Sequence, residues 1–265
     1  MTASTVQRPP SRTDAAVLDQ TRLPGQPFAR LVGTELRKAV DTRSGRWLLV
    51  ALLGLAGVAL GWQVWHASQA PVSFLDFLDT AYTPVGVLLP VLGILAMTAE
   101  WSQRTALTTF TLSPRRVPVL LAKVVAALVL TLAVVLLVTG LTVVATAIGG
   151  LVSDGAVDWS FGWRDGVGIL LTHELNVLMG AGFGALIPVT GVALTVFFVA
   201  PNLFNMLAPH VLKGRAEWFD VFAALARTSG LHMDGKLAQS LTAVGLWVLL
   251  PAAVGLWRSA RREVK

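Results

Sequence analysis

His173 and Glu174 stand side by side in an apolar stretch, GILLTHELNVLMG. A histidine beside a carboxylate is the pairing that general acid–base catalysis or metal-assisted hydrolysis draws on. The zinc motif H-E-x-x-H needs its second ligand four residues after the first, and Val177 holds that position. His66, His210 and His232 lie in separate segments, so they do not restore the motif. The chain has 0 cysteines, which removes disulfides, thiolate nucleophiles and Cys-based metal sites. A phosphate-cradling G-x-x-x-x-G-K-[ST] loop is also missing: Gly235-Lys236 is followed by Leu237. The remaining use for ionisable groups in apolar sequence is a polar lining for a transport pathway, with Asn176 able to pair with His173 and Glu174 from a neighbouring turn. If their helix begins near His173, both instead sit at the outer membrane interface.

The elements that would position these residues are long apolar runs. With 54% hydrophobic and 14% charged residues and a mean hydropathy of +0.68, the chain does not have the composition of a water-soluble domain. About 20 apolar residues cross the ~30 Å hydrocarbon core of a bilayer. Six runs fit: Trp47 to Trp65, Tyr82 to Ala99, Val117 to Ile148, Gly166 to Ile187, Val189 to Pro209 and Ser240 to Trp257. Only Pro188 and Thr190 separate the fourth from the fifth, so five spans with one broken hairpin is the competing count. The third run exceeds one membrane thickness, and its Lys123 end is expected to project beyond the bilayer, the lysine snorkelling. Residues 27-265 are thus read as one all-α transmembrane domain, and 1-26, rich in Ser, Thr, Pro and Arg, as a disordered cytoplasmic tail.

Orientation follows from the 21 Lys and Arg. With both termini in the cytoplasm, all of them except Arg164, Lys213, Arg215, Arg227 and Lys236 fall inside, as the positive-inside rule requires. This places the chain in the cell membrane as a multi-pass protein. The net charge of +6 then reflects anchoring at the inner leaflet, not a nucleic-acid partner. AEWFDVFAALA, in the long outer segment, reads as a short amphipathic helix on the surface. Gly57 and Gly61, like Gly180 and Gly184, have the spacing that lets helices approach closely, within one subunit or between two.

Pro27 to Thr42 precedes the first span and is amphipathic. Phe28, Leu31, Val32, Leu36 and Val40 recur at three- and four-residue intervals, with Glu35, Arg37 and Lys38 on the other face. It is expected to lie along the inner leaflet, as a plain anchor or as the contact surface for a partner. The segment between the second and third spans, EWSQRTALTTFTLSPRR, carries Glu100 and Arg104 four residues apart on one helical face, an apolar edge from Leu107 and Phe110, and Arg115 and Arg116 at its end. Ser113 followed by Pro114 has the form of an N-cap with proline at the first helical position.

The order of a basic amphipathic segment (TELRKAVDTRSGRW), a span, an apolar hairpin ending in AEWSQRTALTTFTLSPRR and a lysine in the next helix resembles the membrane subunit of type-2 ABC transporters. The resemblance is specific from Glu100 to Lys123 and diffuse elsewhere between Phe28 and Trp257. It implies an exporter permease that pairs with a second copy or a similar chain, with a cytoplasmic ATP-binding subunit holding ATP and Mg, and no cofactor in this chain. It further implies that Glu100 to Arg116 is the elbow receiving motion from that ATPase, Pro27 to Thr42 the connecting helix, and the cargo an amphipathic drug, peptide, lipid or polysaccharide. Against this stand an ion-coupled secondary carrier and a polytopic membrane enzyme built on His173 and Glu174.

Overall fold

The computed structural model describes residues 26–69, 71–102, 116–153 and 155–261, the backbone alone at 101, 102, 116 and 260. The 1–26 tail, apart from Gln26, lies outside them, as do Arg104, Leu107, Phe110, Ser113, Pro114 and Arg115. The described residues form an all-α bundle. It contains α1 (Phe28–Asp41), α2 (Arg43–Trp65), α3 (Phe74–Ser102), α4 (Arg116–Val152), α5 (Trp163–Leu186), α6 (Thr190–Leu212) and the short α7 (Val221–Ser229). The final helix, α8, joins Leu237–Val244 and Leu250–Arg261 through a π-helical turn at Gly245–Leu249. Helices α2 to α6 and α8 make six that are long and apolar enough to cross a membrane, so the chain is a multi-pass membrane protein.

The break between α5 and α6 is real and short, residues 187–189, which favours six spans over five. Pro188 sits in that break, whereas Pro84 and Pro90 lie inside α3 and Pro201 and Pro209 inside α6. Several expected boundaries move by a few residues, that of α3 furthest. α3 begins at Phe74, eight residues before Tyr82, because its start is tied down: Phe74 N–H donates to Asp158 O (2.8 Å), and Asp158 N–H to Val72 O (2.9 Å). Phe74 also packs against Trp159 and Phe161. α5 begins at Trp163, where Asp165 accepts the Gly162 N–H at 2.8 Å. The surface helix expected in AEWFDVFAALA splits into a 3-10 segment, Lys213–Trp218, and α7, which Asp220 caps by accepting from Ala223 N–H at 3.0 Å.

The centre of the bundle is the crossing of α3 and α5. A methyl group on Gly180 would overlap the Pro90 carbonyl, and one on Gly184 would sit 2.8 Å from Ile94 O, so neither position has room for a side chain. Gly93 is in the same state against Val177 O. The small residues therefore bring backbones together within the subunit. Gly57 and Gly61 on α2 differ, since a methyl group placed on either would meet no other helix within 4 Å among the described residues. α8 closes on α5 similarly: a methyl on Gly182 would lie 2.7 Å from Ala252 N, and Ser259 Oγ donates to Ala185 O at 3.1 Å. The α1 end of the bundle thus gathers α1, the start of α2, the ends of α3, α5 and α8 and the starts of α4 and α6, the last through a 2.9 Å bond between the Thr190 and Thr98 hydroxyls.

Candidate functional site

At the α1 end, four charged side chains from three helices meet. α1 contributes Glu35 and Lys38 from adjacent turns, α3 contributes Glu100 near its end, and α4 contributes Lys123, seven residues and about 10 Å along from Arg116. Lys123 Nζ donates to Glu35 Oε2 at 2.7 Å and lies 3.1 Å from Glu100 Oε1. Lys38 Nζ donates to Glu35 Oε1 at 2.7 Å and to Glu100 Oε1 at 3.2 Å. Positive and negative groups alternate around a closed ring. Its members differ in depth: the side-chain exposure is 3% for Lys123, 8% for Glu100, 10% for Glu35 and 43% for Lys38. Burial pulls the Lys38 ammonium down, but the hydrogen bonds and negative charge of Glu35 and Glu100 outweigh it, leaving Lys38 above its ordinary value of 10.5.

The ring revises one expectation. Lys123 does not snorkel to a free surface but is buried and paired on two sides. Glu100 was expected to pair with Arg104; its described partners are Lys38 and Lys123, and Arg104 lies outside the described residues. Of the remaining elbow positions, Leu107, Phe110 and Arg115 lie outside them too, and Arg116 enters only as the first residue of α4. α1 itself forms as expected, and the face it turns toward the bundle carries Leu31, Val32, Leu36 and Ala39 with Glu35 among them. Glu35 is nearly covered while Phe28 and Val40 stay exposed, as does Arg37; Leu31 is half-buried. None of its residues is fully buried, which suits a helix lying along the bundle's edge. The turn from α1 into α2 is tight: Thr42 caps α2 by accepting from Gly45 N–H at 3.2 Å, and a side chain on Gly45 would overlap Ala39 O.

His173, Glu174 and Asn176 do not converge. α5 starts ten residues before His173, so the histidine lies about 15 Å along the helix and not at its mouth. Its Nδ1 is bonded to Ile169 O at 2.8 Å, and its ring packs on Tyr82 with centroids 4.6 Å apart. The Tyr82 hydroxyl donates to Val135 O at 2.8 Å and meets Thr139 Oγ1 at 2.8 Å, so the contact runs from α5 through α3 to α4. Asn176 turns to α3 and donates to Gly86 O at 2.8 Å instead of pairing with His173 or Glu174. Glu174 Oε2 is buried with no hydrogen-bond partner among the described residues.

No family model, curated protein or solved structure matches this chain. The His173 site links three helices, and Glu174 keeps one buried oxygen without a partner among the described residues. The ring makes α1, the end of α3 and the start of α4 into one electrostatically bonded unit. Sequence reasoning singled out all four ring members separately and missed their meeting. The available signal was a lone lysine inside one apolar run and a lone glutamate at the end of another, each costly in lipid unless paired.

Proposed function

We propose that this chain is the membrane-spanning permease subunit of an ATP-driven ABC transporter, exporting an amphipathic substrate, with hydrolysis performed by a separate cytoplasmic ATP-binding subunit and the pathway completed by a second copy or a similar chain. The observation that carries this reading is the ring. It bonds a peripheral amphipathic helix to the two membrane helices that flank the Glu100 to Arg116 segment. A push applied to that segment from the cytoplasm would reach α1, α3 and α4 together, because a buried charge network resists being pulled apart more than it resists moving as a body. The chain also carries no P-loop of its own, so energy for transport would come from a partner. ATP binding to that partner can shift the permease between states only by its differential affinity for them.

The test is co-expression with a soluble P-loop ATPase, followed by capture of the complex and ATP-dependent movement of a fluorescent amphipathic dye in inverted membrane vesicles. The expected result is a stable complex whose dye transport is lost on joint charge reversal, Glu100→Arg with Arg104→Glu. Undiminished ATP-coupled transport in that variant would overturn the reading. The unpartnered Glu174 oxygen favours a second reading, an ion-coupled carrier. It requires transport driven by an imposed proton gradient without any ATPase, and loss of that transport in Glu174→Gln.

A further inference from the structure

Beside the ring lies a cavity of about 330 Å³, bounded by α1, the α1–α2 turn, α3 and α4. One wall is the ring itself, Glu35, Lys38, Glu100 and Lys123; Thr42 and Ser44 of the α1–α2 turn add two hydroxyls, and the remainder is apolar, chiefly Leu92, Leu95 and Ala96 on α3 and Ala126, Ala127 and Leu130 on α4. A cavity of ~150 Å³ holds a benzene molecule, and small-molecule sites begin at roughly 300 Å³. The space therefore suits one slender apolar group and is too small for both chains of an ordinary phospholipid.

We propose that this cavity binds one zwitterionic single-chain amphiphile of the lysophosphatidylethanolamine kind, its chain among the leucines and alanines and its head on the ring. Charge selects the head. Two lysines and two glutamates balance, so a head of net charge would find no net countercharge, whereas a phosphate can meet the lysines while an ammonium meets the glutamates. Lys123 is built to take part: an ammonium carries three N–H donors, and its described partners are the two glutamates. Shape selects a single chain. Replacing a buried ion pair by apolar side chains is often neutral or stabilising; a ligand that uses both signs of charge gives the ring a reason to be polar. The site lies within one subunit and does not depend on the chain being an ABC permease.

The experiment is native mass spectrometry of the full chain in detergent, offered a twelve-carbon lysophosphatidylethanolamine, the matching lysophosphatidylglycerol and dodecyl maltoside in turn. The expected result is a one-to-one adduct of the zwitterionic lipid, retained at least tenfold above the other two. Filling the apolar end by Ala96→Trp or Ala127→Phe should lower retention at least tenfold. Lys38→Gln, a half-exposed position that leaves the packing in place, should lower it several-fold and serves where a filling variant does not fold. Equal retention of all three probes, preference for the anionic lipid, or undiminished binding in a folded filling variant would each overturn the proposal.

Discussion

Replacing Lys123 with methionine isolates what the ring contributes. The substitution keeps the side chain's length and apolar stem but removes the ammonium that is 3% exposed and touches two carboxylates. Glu35 and Glu100, at 10% and 8% exposure, are then left facing each other with Lys38 alone between them. Breaking a buried pair in this way costs about 3–5 kcal/mol, mostly as the penalty of the stranded charges. At roughly 2–4 °C per kcal/mol for a chain of this size, the apparent Tm should fall by on the order of 10 °C. Lys38→Met should cost about 1 kcal/mol or less, because that ammonium is 43% exposed and water replaces it cheaply. Removing Glu100 and Lys123 together, both to methionine, leaves the 2.7 Å Glu35–Lys38 pair intact. The double variant should then be more stable than the sum of the two single changes by about 1–3 kcal/mol. Thermal unfolding of the detergent-solubilised protein, followed by tryptophan fluorescence, reads all four proteins. A Lys123→Met shift no larger than that of Lys38→Met would refute the reasoning that depth sets the size of the effect.

Further outcomes follow from the same contacts. Gly180→Val should lower the apparent Tm by an amount corresponding to about 1–3 kcal/mol through overpacking against Pro90, whereas Gly57→Ala and Gly61→Ala should be neutral or raise it by up to about 1 kcal/mol. A destabilised or dissociated oligomer in Gly57→Ala, seen by size-exclusion chromatography, would instead place that helix face in a subunit seam. Because the folded pKa of Lys38 lies above its ordinary 10.5, its contribution is whole below that value and is lost as pH rises through the higher folded one. The Tm difference between wild type and Lys38→Met should therefore hold steady through neutral pH and close only at strongly alkaline pH. Asn176→Leu should lower stability by about 1 kcal/mol by leaving Gly86 O without its donor, with unfolding midpoints as the readout.

Much of the fold was legible because a membrane helix declares itself by composition over about 20 residues, and no distant contact is needed to read it. The count of six, the amphipathic α1 and the tight use of Gly180 and Gly184 came from such local patterns. The early start of α3 did not: Asp76 and Asp79 lie ahead of the apolar run expected from Tyr82, and the pairing of residues 72–74 with Asp158 ties down a helix that includes them. The ring was illegible for a stronger reason. Its bonds join residues 62 and 88 positions apart, and helical periodicity says nothing about which turn of one helix meets which turn of another. His173 and Asn176 illustrate the same limit, since adjacency in sequence suggested a shared site while the helix geometry sends one to Tyr82 and the other to Gly86.

The widened turn in α8 has a consequence for everything after it. Pro251 has no N–H to offer the carbonyl of Trp247, and its ring would collide with that carbonyl in a regular helix. At Gly245–Leu249 the backbone swells instead, so that Leu250 N–H reaches back to Gly245 O. Such a swelling accommodates one residue more than an unbroken α-helix would, and one residue is worth about 100° of rotation. The direction in which the last dozen residues of the helix point is therefore dialled by that single loop of backbone. Deleting one residue within it would swing Ser259 away from Ala185 O and carry Gly255 off the neighbouring backbone, without altering a side chain at either contact.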